Sequence, residues 1–324
     1  MKIHLSNSSY LGNFETFLRT FDPSNVTELK ITTHDKWVNV HPVVLTIIAA
    51  LATTIQNPKK ISIDEITATS GHYLDRMGLF NFLGKQSPFT IAEHEPAGRF
   101  IPLTQIRTQE EQSKFIKEMI PLLHLAPHQA DAIKYTVGEL VRNVLEHAAT
   151  KNGAFVAAQY YKATNTVRLG ICDTGVGINQ TINRSWHAKT DIEGIKLALT
   201  PGITGTTRRE GGNAANAGAG LFFIKSMAMV SRDYFIVYSG SGLYKLTKRD
   251  KRTKGFPRLK ANPNNDKHSE TNKAPLFPGT VVAIDISLKE TTEFTTLLST
   301  IRAAYTEAVK ERKKQHYKQP RFIN

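Results

Sequence analysis

Residues 131–150 read DAIKYTVGELVRNVLEHAAT, and this stretch decides the fold that we predict for the chain. Apolar residues recur with the three-and-four spacing of one helix face, at Ile133, Val137, Leu140, Val144 and Ala148. Polar residues fall four apart on a neighbouring stripe, at Glu139, Asn143 and His147. The pattern predicts a core helix that carries chemistry along one edge.

Two residues of the polar stripe suit chemistry at a nucleoside triphosphate. The amide oxygen of Asn143 is a hard ligand of the kind that Mg²⁺ prefers. The carboxylate of Glu139 can orient or deprotonate a nucleophile. A Glu-x-x-x-Asn pair also occurs by chance on ordinary amphipathic helices, so on this helix alone we favour a solvated polar edge over a nucleotide site. His147 is interpreted as a packed neighbour of the site.

Composition describes a globular protein with room for two domains. The chain has 324 residues, of which 40% are hydrophobic and 22% are charged. Its longest apolar run, VVLTIIAALATTI, is too short for a membrane span, and the first residues lack the apolar segment of a secretory signal. The single cysteine, Cys172, allows no internal disulfide and no cysteine-based metal cluster. We therefore predict a cytoplasmic protein without a membrane partner.

The net charge of +14 is unevenly placed. Residues 245–260 contain eight basic residues against one acidic residue, and residues 301–324 contain seven against two. Such clusters are able to contact nucleic acid. Because neither comes with a nucleic-acid-binding motif or an aromatic stacking platform, we interpret both as solvated surface and keep nucleic acid as an alternative partner.

The first hundred residues predict a small α/β unit. Strands are predicted at 26–32, 37–40, 59–66 and 89–94, and helices at 41–55 and 70–84. Turn signals in PAGRFIPL place a boundary between domains at 1–97 and 98–324.

The rest of the chain predicts a hairpin followed by alternating helices and strands. The hairpin covers 154–161 and 166–173, further strands cover 233–240, 243–248 and 280–288, and helices cover 189–200, 220–230 and the C-terminal residues from about 291. The basic stretch at about 245–278 is predicted to be mainly a loop.

Three glycine-containing motifs follow the opening helix. Asp173 ends a strand and is followed by Gly175 and Gly177, so its carboxylate can accept a hydrogen bond from an exocyclic amine while the glycines let the backbone approach a base. Gly218 and Gly220 open a helix whose N-terminal N–H groups suit a phosphate. A Gly279-Thr280 pair precedes the last strand. Each motif is weak alone.

The order of these motifs resembles the GHKL ATPase superfamily, which includes type II topoisomerases, mismatch-repair ATPases, heat-shock chaperones, histidine kinases and the anti-sigma-factor serine kinases. The resemblance spans about half of the chain. It implies an α/β sandwich with a mixed sheet that binds ATP and Mg²⁺. The string ELVRNVLEHA looks closest to the serine-kinase branch.

The resemblance also implies a role for each motif residue. Asn143 would ligate Mg²⁺, Glu139 would be the general base, and Asp173 would read the adenine amine with support from Thr280. Gly175 and Gly177 would line the base and sugar. The phosphates would be held at the start of a helix by Gly218, Ala219, Gly220 and Leu221. Residues 179–217 would form a lid over the nucleotide, with Lys196, Arg208 or Arg209 as candidate phosphate cations.

The N-terminal unit looks like the STAS fold of anti-sigma-factor antagonists. Its candidate phosphoacceptor is Ser70, which sits between a predicted strand and helix. The same position fits a helix N-cap, and we favour that interpretation.

The predicted function is therefore MgATP binding with transfer of the γ-phosphoryl group, either to water or to a protein hydroxyl, in a regulatory switch. A protein partner is expected, and a homodimer is compatible with the resemblance. Two alternatives stay open: an adaptor in which ATP only orders the lid, and an ATPase that uses the basic clusters to contact nucleic acid.

Overall fold

A computed structural model describes residues 1–89, 100–208, 218–248, 259–288 and 294–316, with side chains up to residue 314. The predicted domain boundary at 97 and most of the predicted strand at 89–94 lie outside these residues.

The described residues form a mixed α/β structure, as the sequence predicts. Its strands are β1 (Lys2–Leu5), β2 (Leu29–Thr33), β3 (Ile61–Ile63), β4 (Phe100–Ile106), β5 (Ala154–Tyr161), β6 (Thr166–Asp173), β7 (Phe235–Gly240), β8 (Gly242–Leu246), β9 (His268–Thr271) and β10 (Phe277–Ser287). Its α-helices are α1 (Phe14–Arg19), α2 (Pro42–Ala52), α3 (His72–Arg76), α4 (Leu79–Phe82), α5 (Gln109–Glu118), α6 (Pro127–His147), α7 (Gly177–Ile182), α8 (Asp191–Ala198), α9 (Gly220–Ser231) and α10 (Phe294–His316).

Seven strands of the described residues form the central sheet, in the order β4-β5-β6-β10-β7-β8-β9. Every neighbouring pair in this sheet is antiparallel. The mixed sheet that the resemblance implies for this unit is therefore wrong for the described strands, and the strand patterns themselves do not reveal how distant strands pair. Strand β10 lies between β6 and β7 and brings Thr280 opposite Asp173.

Both faces of the central sheet are buried. Side chains alternate along β10, so Val282 and Ile284 face a core shared with α6, whereas Val281 and Ala283 face α2 and the N-terminal unit. Helix α2 is buried along its whole length, which explains why its sequence is apolar all round. A Cβ at Gly170 would lie 2.3 Å from the Cα of Val43, so a glycine is needed where α2 crosses β6.

The N-terminal unit is built on a three-stranded parallel sheet in the order β1-β2-β3. Its apolar side chains and those on one face of the central sheet form one hydrophobic core. A buried polar contact joins the two units, because the Nε2 atom of His41, the N-cap of α2, lies 3.2 Å from Asp285 on β10.

The structure corrects the predicted helix at 70–84 and the role of Ser70. Gly78 adopts a left-handed conformation with φ of 78° and separates α3 from α4, so the helix is not continuous. Ser70 lies in a 3-10 turn, and its hydroxyl accepts a 2.6 Å hydrogen bond from the amide of Val38. It caps neither the turn nor α3, because the N-cap residues of both make no side-chain cap bond.

The predicted basic loop also needs correction. The described part contains β9, which pairs with β8. The sequence of β9, HSET, is polar because this strand lies at the edge of the sheet and is largely exposed. No helix among the described residues is long and apolar enough to cross a membrane.

Candidate functional site

Helix α6 forms one wall of a cavity of about 390 Å³. Pro127 occupies its first turn, where proline is tolerated, and its apolar face is buried against the central sheet. Its polar stripe lines the cavity with Tyr135, Glu139, Asn143 and His147. With a rise of about 1.5 Å per residue, these side chains are distributed along roughly 18 Å of helix.

Most of the candidate site residues predicted from the sequence line this cavity. Those that line it are Glu139, Asn143, Asp173, Gly177, Gly218, Ala219, Gly220, Leu221 and Thr280. Gly175 does not line it. A Cβ at Gly175 would lie 2.1 Å from the carbonyl oxygen of Ala148, so this glycine lets the turn pack against the C-terminal end of α6.

Asp173 marks one end of the cavity. Its carboxylate accepts a 2.8 Å hydrogen bond from the amide of Gly175 and another from the amide of Thr280. Thr280 therefore supports Asp173 through its backbone, whereas its hydroxyl lies 3.4 Å from Ser239. Burial raises the pKa of Asp173 to about 7, against the opposing effect of these amides.

Ser239 is a positioning residue that the sequence pattern does not reveal. It is buried on β7, donates a 2.7 Å hydrogen bond to the carbonyl of Gly279 and accepts a 2.9 Å bond from the amide of Ile178. It thereby joins the turn after Asp173 to the start of β10. A buried serine in a strand has no sequence signal that separates it from an ordinary core residue.

The N-terminus of α9 meets α6 further along the cavity. A Cβ at Gly220 would lie 2.8 Å from a carboxylate oxygen of Glu139 and 3.7 Å from the amide nitrogen of Asn143. Gly218, with φ of 65°, approaches the carbonyl of Ile203 so closely that a Cβ there would lie 2.5 Å from it. Gly218 is therefore required by its backbone conformation and by close backbone packing, whereas at Gly220 the close atom belongs to the Glu139 side chain, which lies beside the start of α9.

Glu139 is held by an arginine on its own helix. Arg142 donates a 2.7 Å hydrogen bond to the Glu139 carboxylate and lies 3.9 Å from Glu146. Burial raises the pKa of Glu139, and Arg142 opposes that effect. The sequence places Arg142 three residues after Glu139, a spacing typical of helical ion pairs, so this partner could have been predicted.

The far end of the cavity, beyond Glu139, is aromatic and basic. Tyr135 on α6, Phe223 on α9 and Arg302 on α10 line it. The predicted phosphate cations are not among the described lining residues. Lys196 lies 3.1 Å from Glu270, Arg208 does not line the cavity, and Arg209 falls outside the described residues. No sequence pattern connects Arg302 with the other lining residues, because only the packing of α10 brings it there.

The described part of the predicted lid contains most of α7 and the whole of α8, joined by turns and irregular segments. Helices α7 and α8 pack against the central sheet with Ile178, Ile182, Ile192 and Ile195 in the core. The predicted helix at 189–200 is confirmed as α8. Residues 209–217 of the predicted lid lie outside the described residues.

A cluster of three or more histidine, cysteine or acidic side chains able to hold a metal is absent from the described residues. A Mg²⁺ ion that binds together with a phosphate would not need such a cluster. It commonly takes one or two protein ligands and completes its shell with phosphate oxygens and water. The Asn143 amide suits that role, since it lines the cavity and makes no hydrogen bond within the described part of the chain.

Three lysines of the first basic cluster have internal partners. Lys245 is buried and bonds to the carbonyl of Gly12 and to the carboxylate of Glu15. Lys248 lies 3.5 Å from Asp233, and Lys260 bonds to the carbonyl of Asn265. Residues 249–258 fall outside the described residues. Each of these three lysines thus has a partner within the described residues, and Lys245 is also buried.

Comparison with models of known protein families found no match, and a search of curated proteins found no significant relative. The fold and the site together define an α/β protein in which most of the residues predicted from the sequence line a cavity between α6, α9 and the central sheet. A functional assignment therefore depends on the chemistry of that cavity.

Proposed function

We propose that this chain binds MgATP in the cavity and transfers the γ-phosphoryl group to water or to a protein hydroxyl. The proposal includes membership of the GHKL superfamily, close to the serine-kinase branch, and a regulatory role with a protein partner. One observation carries the proposal: motifs that are far apart in the sequence line the same cavity. Along that cavity they follow the order of a bound nucleotide, with Asp173 at the base, Gly218 and Gly220 at the phosphates and Glu139 at the nucleophile.

The adenine would lie at the Asp173 end. There the carboxylate faces an otherwise apolar wall that includes Val144, Ile171 and Ile178. Such a wall suits a planar base, and a single acceptor would fix the orientation of its exocyclic amine. An ionised Asp173 accepts that hydrogen bond, so bound adenine would favour the charged form of the carboxylate.

The phosphates would lie where Gly218 and Gly220 meet α6. The first N–H groups of α9 carry no helical partners, and the helix dipole favours negative charge at this end. Asn143 would hold Mg²⁺ against the phosphate oxygens, where the ion would neutralise charge that develops during transfer. These residues thus supply binding and orientation.

Glu139 would act on the nucleophile. Its carboxylate lies beside the start of α9, and its pKa is raised by burial, which makes it a stronger base than an exposed glutamate. Arg142 would fix the orientation of this carboxylate through Oε2, which is also the oxygen that a Cβ at Gly220 would approach.

The proposal is tested by incubating the pure full-length chain with Mg²⁺ and ATP labelled on its γ-phosphate, and by following the label. Release of free phosphate identifies hydrolysis, and labelled protein identifies a kinase. Glu139→Gln should lower the rate by about 10²- to 10⁴-fold while binding is retained. Absence of nucleotide binding to the wild-type chain would overturn the proposal.

The same experiment addresses the adaptor alternative. Tight binding of ATP that stays intact, together with unlabelled protein, would replace catalysis by nucleotide-controlled ordering of the lid. The N-terminal unit is the surface that we propose for a protein partner, in keeping with its STAS-like sequence pattern.

A further inference from the structure

Among the described residues, the cavity is lined by an arginine that has no acidic partner. Its ionisable lining groups include Glu139 and Asp173 on the acidic side and Arg142 and Arg302 on the basic side. Arg142 forms ion pairs with Glu139 and Glu146. Arg302 has no carboxylate partner within the described residues. It is therefore the cavity cation whose charge remains available to a ligand.

The position of Arg302 in the cavity can be described relative to the residues along α6. Asp173 lies at the C-terminal end of this helix, next to the turn that packs on Ala148, and Glu139 lies more than two turns away from that end. Tyr135 is one further turn along, and Arg302 is close enough to influence the Tyr135 hydroxyl. Arg302 thus faces the end of the cavity farthest from Asp173.

Helix α10, which carries the exposed side chain of Arg302, is held against α6 and α9 through an apolar seat. We define the α10 seat as the contacts that Ile301, Phe294 and Tyr305 make with α6 and α9. Ile301 is fully buried, and the ring of Phe294 lies 5.8 Å from that of Tyr135. The ring of Tyr305 lies 6.1 Å from that of Phe223.

The α10 seat and the cavity share a wall. Tyr135 and Phe223 pack against α10 and also line the cavity, and their own rings are 6.1 Å apart. A ligand that fills the far end must therefore contact residues that support α10.

We propose that Arg302 is the specificity-determining residue for the terminal phosphate, so that the chain distinguishes a nucleoside triphosphate from a diphosphate through helix α10. This inference rests on the proposed function. A diphosphate bound with its base at Asp173 ends nearer Glu139 and Gly220, whereas a third phosphate extends toward Arg302. A guanidinium is suited to this contact because it presents planar, bidentate donors to phosphate oxygens.

The test compares the affinities of the Mg²⁺ complexes of ADP and of a triphosphate analogue whose β,γ-bridging oxygen is replaced by an imido group. Isothermal titration calorimetry is performed on the wild-type chain and on Arg302→Gln, Arg302→Lys and Lys310→Ala. Lys310 is the matched control, because it is an exposed cation on α10 that does not line the cavity. Thermal melts establish that each variant is folded.

Arg302→Gln should weaken binding of the triphosphate analogue by about 10- to 100-fold and leave ADP affinity within about twofold. Arg302→Lys should fall between wild type and Arg302→Gln, and Lys310→Ala should match wild type. An equal loss for both nucleotides, or no loss for either, would overturn the inference while the proposed function stands. A wild-type chain that binds neither nucleotide would overturn both.

Discussion

Asp173 combines a structural cost, the burial of its carboxyl group, with the adenine-binding role that we propose for it. It is 3% exposed and has a pKa of about 7, so near neutral pH the folded protein keeps much of this carboxyl protonated. The unfolded chain ionises it at an ordinary value of 3.8. Folding therefore becomes less favourable as pH rises toward and through the folded pKa.

Asp173→Asn should stabilise the chain without nucleotide and abolish nucleotide binding. The amide removes the cost of a buried charge, so we expect a gain on the order of 3 kcal/mol at pH 8 that shrinks as pH falls toward 4. Urea unfolding at several pH values measures the gain, and calorimetry with ATP measures binding. A variant that is less stable than wild type at pH 8 would contradict this interpretation of burial.

Arg142 should control the pH dependence of turnover. Arg142→Met removes the positive charge beside Glu139, so the pKa of Glu139 should rise further and the acidic limb of the kcat/KM profile should move to higher pH. Lys134→Met is the control, since Lys134 pairs with Asp131 on the same helix but outside the cavity. An unchanged profile in Arg142→Met would show that Glu139 does not titrate in the rate-limiting step.

At the scale of elements, the contact between α2 and β6 depends on a glycine. Gly170→Ala places a Cβ 2.3 Å from the Cα of Val43 and should destabilise the chain by about 1–3 kcal/mol. Gly138→Ala on α6 is the opposite case, because the added Cβ would have its nearest contact 4.0 Å away. This substitution should stabilise the chain by about 0.5–1 kcal/mol. Chemical denaturation measures both variants. Equal effects would argue against the packing described at β6.

The sequence predicts elements well where local periodicity is strong. The hairpin β5–β6 and helices α6, α8 and α9 are close to the predicted ranges. Edge strand β9 was missed because its polar residues lack a buried face, and strand direction was missed because pairing is set by contacts between distant segments. The predicted helix at 70–84 was interrupted at Gly78 by a local backbone conformation.

At the scale of the whole molecule, the N-terminal unit and the central sheet share one hydrophobic core and a buried contact between His41 and Asp285. Burial lowers the pKa of His41 below 6.5, although Asp285 opposes this. Below about pH 6.5, His41 therefore becomes protonated in the unfolded chain but stays neutral in the folded chain. His41 thus lowers the stability of the folded chain as pH falls.

His41→Gln should remove the loss of stability that His41 causes between about pH 6.5 and 5, so the free energy of unfolding of the variant should rise relative to that of the wild type as pH falls. We expect the wild type to lose up to about 1.4 kcal/mol per pH unit relative to the variant over this interval. The comparison with the variant is needed because Asp173 changes stability in the opposite direction in the same interval. Denaturant titrations at each pH provide the measurement, and parallel curves would show that His41 does not carry this effect.

The candidate site was predictable where one segment carries a motif, and it was not where distant segments meet. Glu139, Asn143, Asp173 and Gly220 were found because each belongs to a short pattern. Ser239 and Arg302 were not, because their roles arise only from the insertion of β10 beside β7 and from the packing of α10.

The most direct test of the proposed MgATP site is the Mg²⁺ dependence of nucleotide affinity in the wild-type chain and in Asn143→Ala. Calorimetric titration of the imido triphosphate analogue, with and without Mg²⁺, provides both values. We predict that Mg²⁺ strengthens binding to the wild type and that Asn143→Ala loses most of this increase, because Asn143 is the proposed protein ligand. Full Mg²⁺-dependent binding by Asn143→Ala, or no nucleotide binding by the wild type, would contradict the proposed MgATP site.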